Sequence, residues 1–559
     1  MNSKVCSSHG DNSTIHEMKA KSFLITALLI AVSLPAIYQI ITPGYFPIHD
    51  DTQVARVNQM YKALSAGQFP VRWVPDLGYG YGYPIFNFYN PLPYYFGSLF
   101  MFFGLDALLA AKMMFIFPII LSGLTMYLFS KLLLPRWGAA LAAVLYLYAP
   151  YHGVQIYVRG AVAEYWAYAV LPLVFWTIWN KMIILGGLAL ATLITSHNLT
   201  AFMSVSFILM SPIFFNKKIV GTSEPRSRET MTHGRRPWEW RVYYWGPFLI
   251  TIILGLGLSA FFWLPALAET GKTQVSQMVF ENFDPPAKHL ITISQLWTSP
   301  WGYGGSSPGT DDGLSLQLGK VHLLGSLAAI VILLYCYITK RKKIQLTIEQ
   351  SNNLAIFFAI SLIASIYLLL PYSTVIWNSI SLLSYIQFPW RFLTFASLFS
   401  SILAAWAIWK TINITSSRGR AMLGRGDLRD CHVVPTNVGT PRNDNKNYFL
   451  IIVFCFLLIA FSIKFFQPQF KYPTSAAQLT SRERILWEVS RRSDEYLPIG
   501  FIRPITLEET LRVNNPANQI LADELKKPTP VRKLGNVISV LTAMGMIGYT
   551  LSRHSQRSQ

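Results

Sequence analysis

His49-Asp50-Asp51 packs more usable chemistry into three residues than any other stretch of this 559-residue chain. Two adjacent carboxylates can bind a divalent cation or take a proton from a hydroxyl, and an imidazole beside them can assist either task. The pair also has a plainer use. A carboxylate just ahead of a helix satisfies its free N–H groups and suits its positive end, and a helix is expected to start near Thr52. A cap needs only one aspartate, so His49 and the second carboxylate are unexplained on that reading. Arg159 and Glu164 come next: the arginine could grip phosphate oxygens beside another acidic site residue, or the two could pair and orient their loop. His197-Asn198 could contact a ligand or serve as interfacial hydrogen-bonding groups. Gln387-Phe388-Pro389-Trp390-Arg391 opens an apolar run. Its arginine could hold a phosphate or diphosphate, with Trp390 against a sugar or an isoprenoid chain. The alternative is a snorkelling arginine within an aromatic belt. Asp284, Lys288, His289 and Asp311-Asp312 point singly to no chemistry.

The elements that must position these residues are membrane spans. The chain is 52% hydrophobic, 14% aromatic and 13% charged, with mean hydropathy +0.35; soluble domains carry about a quarter charged residues. That balance excludes a secreted enzyme, a soluble nucleic-acid binder and a disordered tail protein. Apolar runs predict an all-α polytopic membrane protein of about 12 spans, at 22–41, 107–130, 137–150, 165–180, 182–196, 199–215, 244–264, 321–338, 354–370, 390–409, 447–465 and 534–551. The net charge of +20 comes from 47 basic and 27 acidic residues. Most basic residues fall in short segments between spans, as orientation requires. Their alternation places both termini in the cytoplasm: a segment 1–21 at the start and a tail 552–559 at the end.

On this layout a membrane domain, 22–409, carries external loops 42–106, 151–164 and 265–320, a basic insert at 216–241, and, beyond it, a basic inner loop at 410–446. The span 447–465, an external segment 466–533 and the final span 534–551 follow. The polar stretches 221–241 and 415–446 read as poorly ordered and unimportant for chemistry. Val54, Val57, Tyr61 and Leu64 recur at helical spacing opposite Gln53, Arg56 and Lys62, predicting an amphipathic helix along the membrane surface. Residues 92–104 are apolar but too short to cross, so a second surface or re-entrant segment is expected. Walker, nucleophile-elbow and His-Glu-x-x-His motifs are absent, leaving ATP-driven transport, hydrolase and conventional zinc chemistry without a basis. The four cysteines imply no external disulfide framework.

A wider set of motifs carries a resemblance: His49-Asp50-Asp51-Thr52-Gln53-Val54-Ala55-Arg56, Phe69-Pro70-Val71-Arg72-Trp73, Gly78-Tyr79-Gly80-Tyr81-Gly82-Tyr83-Pro84, Ser196-His197-Asn198-Leu199-Thr200, Gln387-Phe388-Pro389-Trp390-Arg391-Phe392 and Glu495-Tyr496-Leu497-Pro498. Together they resemble bacterial membrane proteins grouped under a "6-pyruvoyl-tetrahydropterin synthase-related" domain. The name implies no pterin-type zinc site here, because the ten histidines are scattered and none pairs with an external cysteine. In architecture the chain resembles the GT-C superfamily of polytopic glycosyltransferases, which place an acidic residue or pair in the loop after the first span.

That resemblance implies transfer of a sugar from a polyprenyl-phosphate donor to a glycan or lipid acceptor, on the outer face of a bacterial cytoplasmic membrane. It implies Asp50, Asp51 and His49 as catalytic residues. Arg159, Glu164, His197, Asn198, Gln387, Trp390 and Arg391 would bind substrate. A divalent metal, Mg or Mn, would sit on Asp50 and Asp51. The implied partners are the lipid bilayer and the polyprenyl-phosphate-linked sugar, with no nucleotide cofactor and no nucleic acid. A transporter or flippase for a lipid-linked saccharide, or a non-catalytic envelope assembly protein, would use the same span layout.

Overall fold

A computed structural model describes residues 12–214, 237–279, 284–339, 349–421, 444–512 and 515–558. Its longer helices are α1 (Asn12–Ile41), α2 (Gln53–Ser65), α3 (Leu92–Phe102), α4 (Ala107–Ser130), α5 (Arg136–Leu147), α6 (Val162–Trp179), α7 (Ile183–Ser196), α8 (Asn198–Met210), α9 (Pro237–Leu258) and α10 (Ala260–Glu269). Then come α11 (Lys320–Thr339), α12 (Glu349–Leu369), α13 (Leu393–Ala421), α14 (Asp444–Ser462), α15 (Pro516–Lys526) and α16 (Pro530–Ser558). Among the described residues β-pairing is confined to four isolated bridges. The chain is an all-α, multi-pass membrane protein.

Among the described residues, five helical stretches are long and apolar enough to cross a bilayer, or seven if the two bent pairs each count as one span. The bends fall at 69° between Leu258 and Ala260 and at 85° between Leu369 and Pro371. Five shorter apolar helices stand where the sequence placed further spans, so length and composition alone do not reach twelve. Several elements overrun their expected bounds: α1 starts at Asn12, α9 starts at Pro237 inside the basic insert, α12 starts at Glu349, α13 runs on to Ala421, and α16 spans Pro530–Ser558. Most of 221–241 and 415–446 lies outside the described residues.

The core is built around α13. Leu393, Phe395, Leu398, Phe399, Ile402 and Leu403 are fully buried there, and α13 packs on α5, α11 and α12. Small residues let these backbones approach, as membrane packing favours. A Cβ on Gly325 of α11 would stand 2.5 Å from the Ala404 Cβ.

The loop bearing His49-Asp50-Asp51 is aimed by the end of α1. Lys112 Nζ donates to the Thr42 carbonyl at 2.9 Å, and Lys471 Nζ donates to the Gln39 and Thr42 carbonyls at 2.9 and 3.0 Å. Two cations thus complete a helix C-terminus whose last carbonyls lack helical donors. Tyr45 pairs antiparallel with Tyr472. The chain then runs beside 158–160: His49 N–H donates to the Val158 carbonyl at 3.0 Å, and Asp50 N–H donates to the Arg159 carbonyl at 2.9 Å. Gln53 Nε2 donates to the Gly160 carbonyl at 2.8 Å.

Helix α2 departs from the sequence reading. Its expected polar face is not solvated: Gln53 and Arg56 are buried together with Val54 and Val57, and only Lys62 of that set is exposed. The cause is cover from several sides: α2 packs on α3 and α4, Gln53 is held by the Gly160 carbonyl and the Tyr94 hydroxyl, and the segment around Ser493 covers Arg56. Arg56 Nη2 donates to Ser493 Oγ at 2.6 Å, and its guanidinium lies 4.5 Å over the Tyr89 ring. At the far side α16 is held by a buried bidentate pair, Arg532 to Glu269 at 2.7–3.1 Å, with Asn87 Nδ2 donating to the same carboxylate.

Gly160 ends the π-helical turn Gln155–Arg159 at φ +62°, and a Cβ there would meet Ile48 Cδ1 at 2.3 Å. Gly104, at φ +92°, has nothing within 4 Å of its Cβ position. Gly104→Ala should therefore cost only the left-handed conformation, ~1–2 kcal/mol. Gly160→Ala should cost clearly more, because it also displaces Ile48 from beside Asp50. Thermal unfolding of both variants in detergent checks this; equal losses would contradict it.

Candidate active site

Glu164 is the hub. It sits in the first turn of α6, is 1% exposed, and draws four side chains inward. Arg159 Nη1 donates to Oε2 at 2.8 Å, Tyr151 OH to Oε1 at 2.6 Å and Gln155 Nε2 to Oε1 at 3.2 Å. Arg391 Nε stands 3.6 Å from Oε2, an ion pair, while Arg391 Nη1 donates to the Ile386 carbonyl at 2.8 Å. Arg391 does not snorkel; it points inward. Arg159 also lies 4.7 Å over the Trp390 ring, whose Nε1 donates to Ser306 Oγ at 3.0 Å. Burial disfavours the Arg159 cation, but Glu164, Tyr151 and Asp50 more than offset this and hold its pKa above the usual arginine range.

Two buried guanidiniums around one carboxylate leave a positive charge over. Asp50 supplies the opposing sign: its charge acts on both Arg159 and Arg391. It is half-buried, and its carboxylate takes no hydrogen bond or ion pair from any described residue. Asp50 also acts on Tyr89, Tyr94 and Glu495 on its other side. Burial pushes the Glu495 carboxyl up, with Arg56 opposing.

Asp51 turns elsewhere. Its Oδ2 accepts Arg484 Nη2 at 2.6 Å and Arg492 Nη1 at 3.4 Å. Burial pushes this carboxyl up, and the Arg484 guanidinium draws it partly back. Neither aspartate caps α2: Thr52 holds the N-cap position, and no side chain makes a cap hydrogen bond there. The exposed His49 places Nε2 3.0 Å from the Tyr303 carbonyl.

The remaining expected residues divide. His197 Nδ1 accepts the Thr200 N–H at 3.2 Å and so caps α8, while its ring also lies within electrostatic reach of Glu164. Asn198 bonds locally, its Oδ1 accepting the Leu199 N–H at 2.9 Å. Gln387 forms the centre of a γ-turn at φ +64°, closed by Phe388 N–H donating to the Ile386 carbonyl at 2.7 Å. Non-glycine residues rarely adopt that backbone, and strain of this kind gathers at ligand sites. It delivers the Ile386 carbonyl to Arg391. Asp50, Arg159, Glu164, His197, Trp390 and Arg391 therefore converge, whereas Asp51, His49, Asn198 and Gln387 act at the margin.

Several members carried no sequence signal. Arg484, Arg492 and Arg56 look like ordinary surface arginines until the segment around 484–493 folds back over 430 residues of chain. Tyr151 and Gln155 could have been found, since both lie within thirteen residues of Glu164 in a loop otherwise apolar. Three buried polar atoms at or beside the hub, Gln155 Oε1, Ser196 Oγ and Arg391 Nε, have no hydrogen-bond partner among the described residues. Such groups are normally satisfied, and an oxygen-rich ligand suits them.

Among the described residues no three His, Cys, Asp or Glu side chains come together as a metal-binding group. A Mg or Mn ion on Asp50 and Asp51 would share Asp51 Oδ2 with Arg484 and Arg492.

No family model matches the chain, so the pterin-synthase-related resemblance rests on the motifs alone. An uncharacterized protein of Lactococcus lactis subsp. cremoris (strain MG1363) is 25% identical over 226 residues, covering 38% of this chain and 34% of that protein. The match thus spans about a third of that relative's length. Among solved structures, the oligosaccharyltransferase AglB of Archaeoglobus fulgidus, in complex with an inhibitory peptide and a dolichol-phosphate, is similar with TM-score 0.43 at 13% identity. It covers 87% of this chain and 62% of AglB. The mycobacterial arabinofuranosyltransferase AftD gives TM-score 0.44 at 14% identity, over 80% of this chain and 27% of AftD. At these scores no activity transfers from either protein.

Removing the Glu164 charge should leave two guanidiniums facing each other in a buried site. Glu164→Gln should cost ~3–5 kcal/mol, the usual penalty for breaking a buried pair. Adding Arg391→Gln should recover part of the loss. Thermal unfolding in nanodiscs checks this; a single variant with wild-type stability would contradict the hub.

Proposed function

We propose that this chain is an integral-membrane glycosyltransferase of GT-C type, acting at the outer face of a bacterial cytoplasmic membrane with both termini inside. It transfers a sugar from a polyprenyl-phosphate donor to a cell-envelope glycan or lipid acceptor. The observation that carries the reading is the contrast between the two aspartates. Asp51 is neutralised by arginines, whereas Asp50 is pinned by its backbone against Arg159 and has no ion pair of its own. A fixed, half-buried carboxylate beside a double-arginine site suits proton abstraction next to a bound phosphate.

In the inverting step Asp50 takes the proton of the acceptor hydroxyl. That oxygen bonds to the anomeric carbon as the bond from that carbon to the donor phosphate oxygen breaks. Polyprenyl phosphate leaves with both electrons of that bond. Arg391, through the Nε that makes no hydrogen bond to a described residue, and Arg159 meet the charge on the leaving phosphate. Trp390, 2% exposed and stacked by Arg159, forms a wall that keeps water from the reacting carbon.

Asp50→Asn keeps shape and removes the base. With labelled sugar on a polyprenyl-phosphate donor pool, transfer should fall ~10²–10⁴-fold, the range supplied by a positioned base, at equal protein level and unchanged unfolding temperature. Equal product from wild type, variant and membranes lacking the protein would contradict the transferase reading. A lipid-saccharide transporter would then fit instead.

A further inference from the structure

The external segment 472–498 lies as a strap along the first loop and is tied to it at successive points. Tyr472 pairs with Tyr45, and Arg484 and Arg492 hold Asp51. Ser490 Oγ accepts the Tyr79 N–H at 3.1 Å, Ser493 Oγ accepts Arg56, and the Tyr496 N–H donates to Tyr83 OH at 3.0 Å. Leu497 and Pro498 give their carbonyls to Gln274 at 3.0 Å each. Arg484 opens a π-helical turn, Arg484–Val489, and Arg159, whose carbonyl takes the Asp50 N–H, ends another. Such turns are rare and recur at functional sites. The Asp51 and Arg484 side chains are only 16% and 21% exposed, which lifts the pair above the weak surface class.

We infer that Arg484 and Arg492 are positioning residues, which by clamping Asp51 hold the strap closed over the acceptor side of Asp50. Asp51 then works as the pin of that clamp and not as a second base. Only the residue next to it touches the reacting oxygen. The strap carries Glu495, whose charge reaches Asp50, so closing the clamp also sets the acidic wall that an acceptor hydroxyl meets. The kinetic consequence rests on the transferase reading above; the mechanical one does not.

The test pairs hydrogen exchange with kinetics on the full-length protein in nanodiscs. Asp51→Asn and Arg484→Gln should each speed amide exchange across 484–494 by about tenfold or more, as release of a local contact does. Asp50→Asn should leave that exchange unchanged. For transfer, both clamp variants should raise acceptor KM about tenfold with kcat nearly kept, loss of binding rather than of chemistry. Combining them should do no more than either alone, and Asp51→Arg/Arg484→Asp should restore part of the loss. Wild-type exchange in Asp51→Asn would overturn the clamp. So would a collapse of kcat in Asp51→Asn with the strap still protected, which would make Asp51 catalytic. Absence of transfer by wild type with every donor would sink the transferase reading, and the exchange result would still decide the clamp.

Discussion

A carboxylate taken out of water must be surrounded by donors, and Glu164 shows how much structure follows from that requirement. To satisfy it the chain brings Arg159 and Gln155 from one π-helical turn, Tyr151 from the turn before it, and Arg391 from the entry to α13. Each demand propagates. Arg391 reaches inward only because the γ-turn at Gln387 presents the Ile386 carbonyl to it. Arg159 stays planar against Trp390, whose indole N–H needs Ser306 from the 284–318 loop. The charge balance around one residue thus fixes three connecting segments relative to one another.

Asp50 profits from this arrangement without being consumed by it. Its backbone is paired to Arg159, so its position is set by the same turn that feeds Glu164. Its side chain is left for chemistry. Asp51, one residue on, meets the opposite fate, because the chain turns sharply there, with Thr52 N–H donating to the Asp50 carbonyl at 2.7 Å across Asp51. Asp50 stays beside the Glu164 hub, and Asp51 is taken by Arg484 and Arg492.

Much of this was legible in the sequence. Apolar runs marked the positions of the membrane helices, and the helix over 53–65 and the short apolar helix near 92–102 were both foreseeable from period and length. The convergence of Arg159, Glu164, Trp390 and Arg391 was foreshadowed by charged and aromatic residues at span ends. What spacing could not reveal was partner choice. Arg484 and Asp51 are 433 residues apart, and Arg56 and Ser493 are 437 apart. Helical periodicity put Gln53 and Arg56 on a polar face but could not know that Gly160 and Tyr94 would take the first and Ser493 the second. The aspartate pair looked like a joint site because adjacency in sequence suggests a shared target; the turn at 49–52 leaves Asp51 with Arg484 and Arg492 and Asp50 without them.

If Asp50 does the chemistry and the arginines around Glu164 bind the donor, a binding measurement separates the two roles. Purified Asp50→Asn and Arg391→Lys would be titrated with a polyprenyl-phosphate sugar in nanodiscs, following donor Kd without turnover. Donor affinity should stay at the wild-type level in Asp50→Asn and fall at least about tenfold in Arg391→Lys, which keeps the charge but loses the planar fork. Weakened donor binding in Asp50→Asn with wild-type affinity in Arg391→Lys would reverse this division of roles.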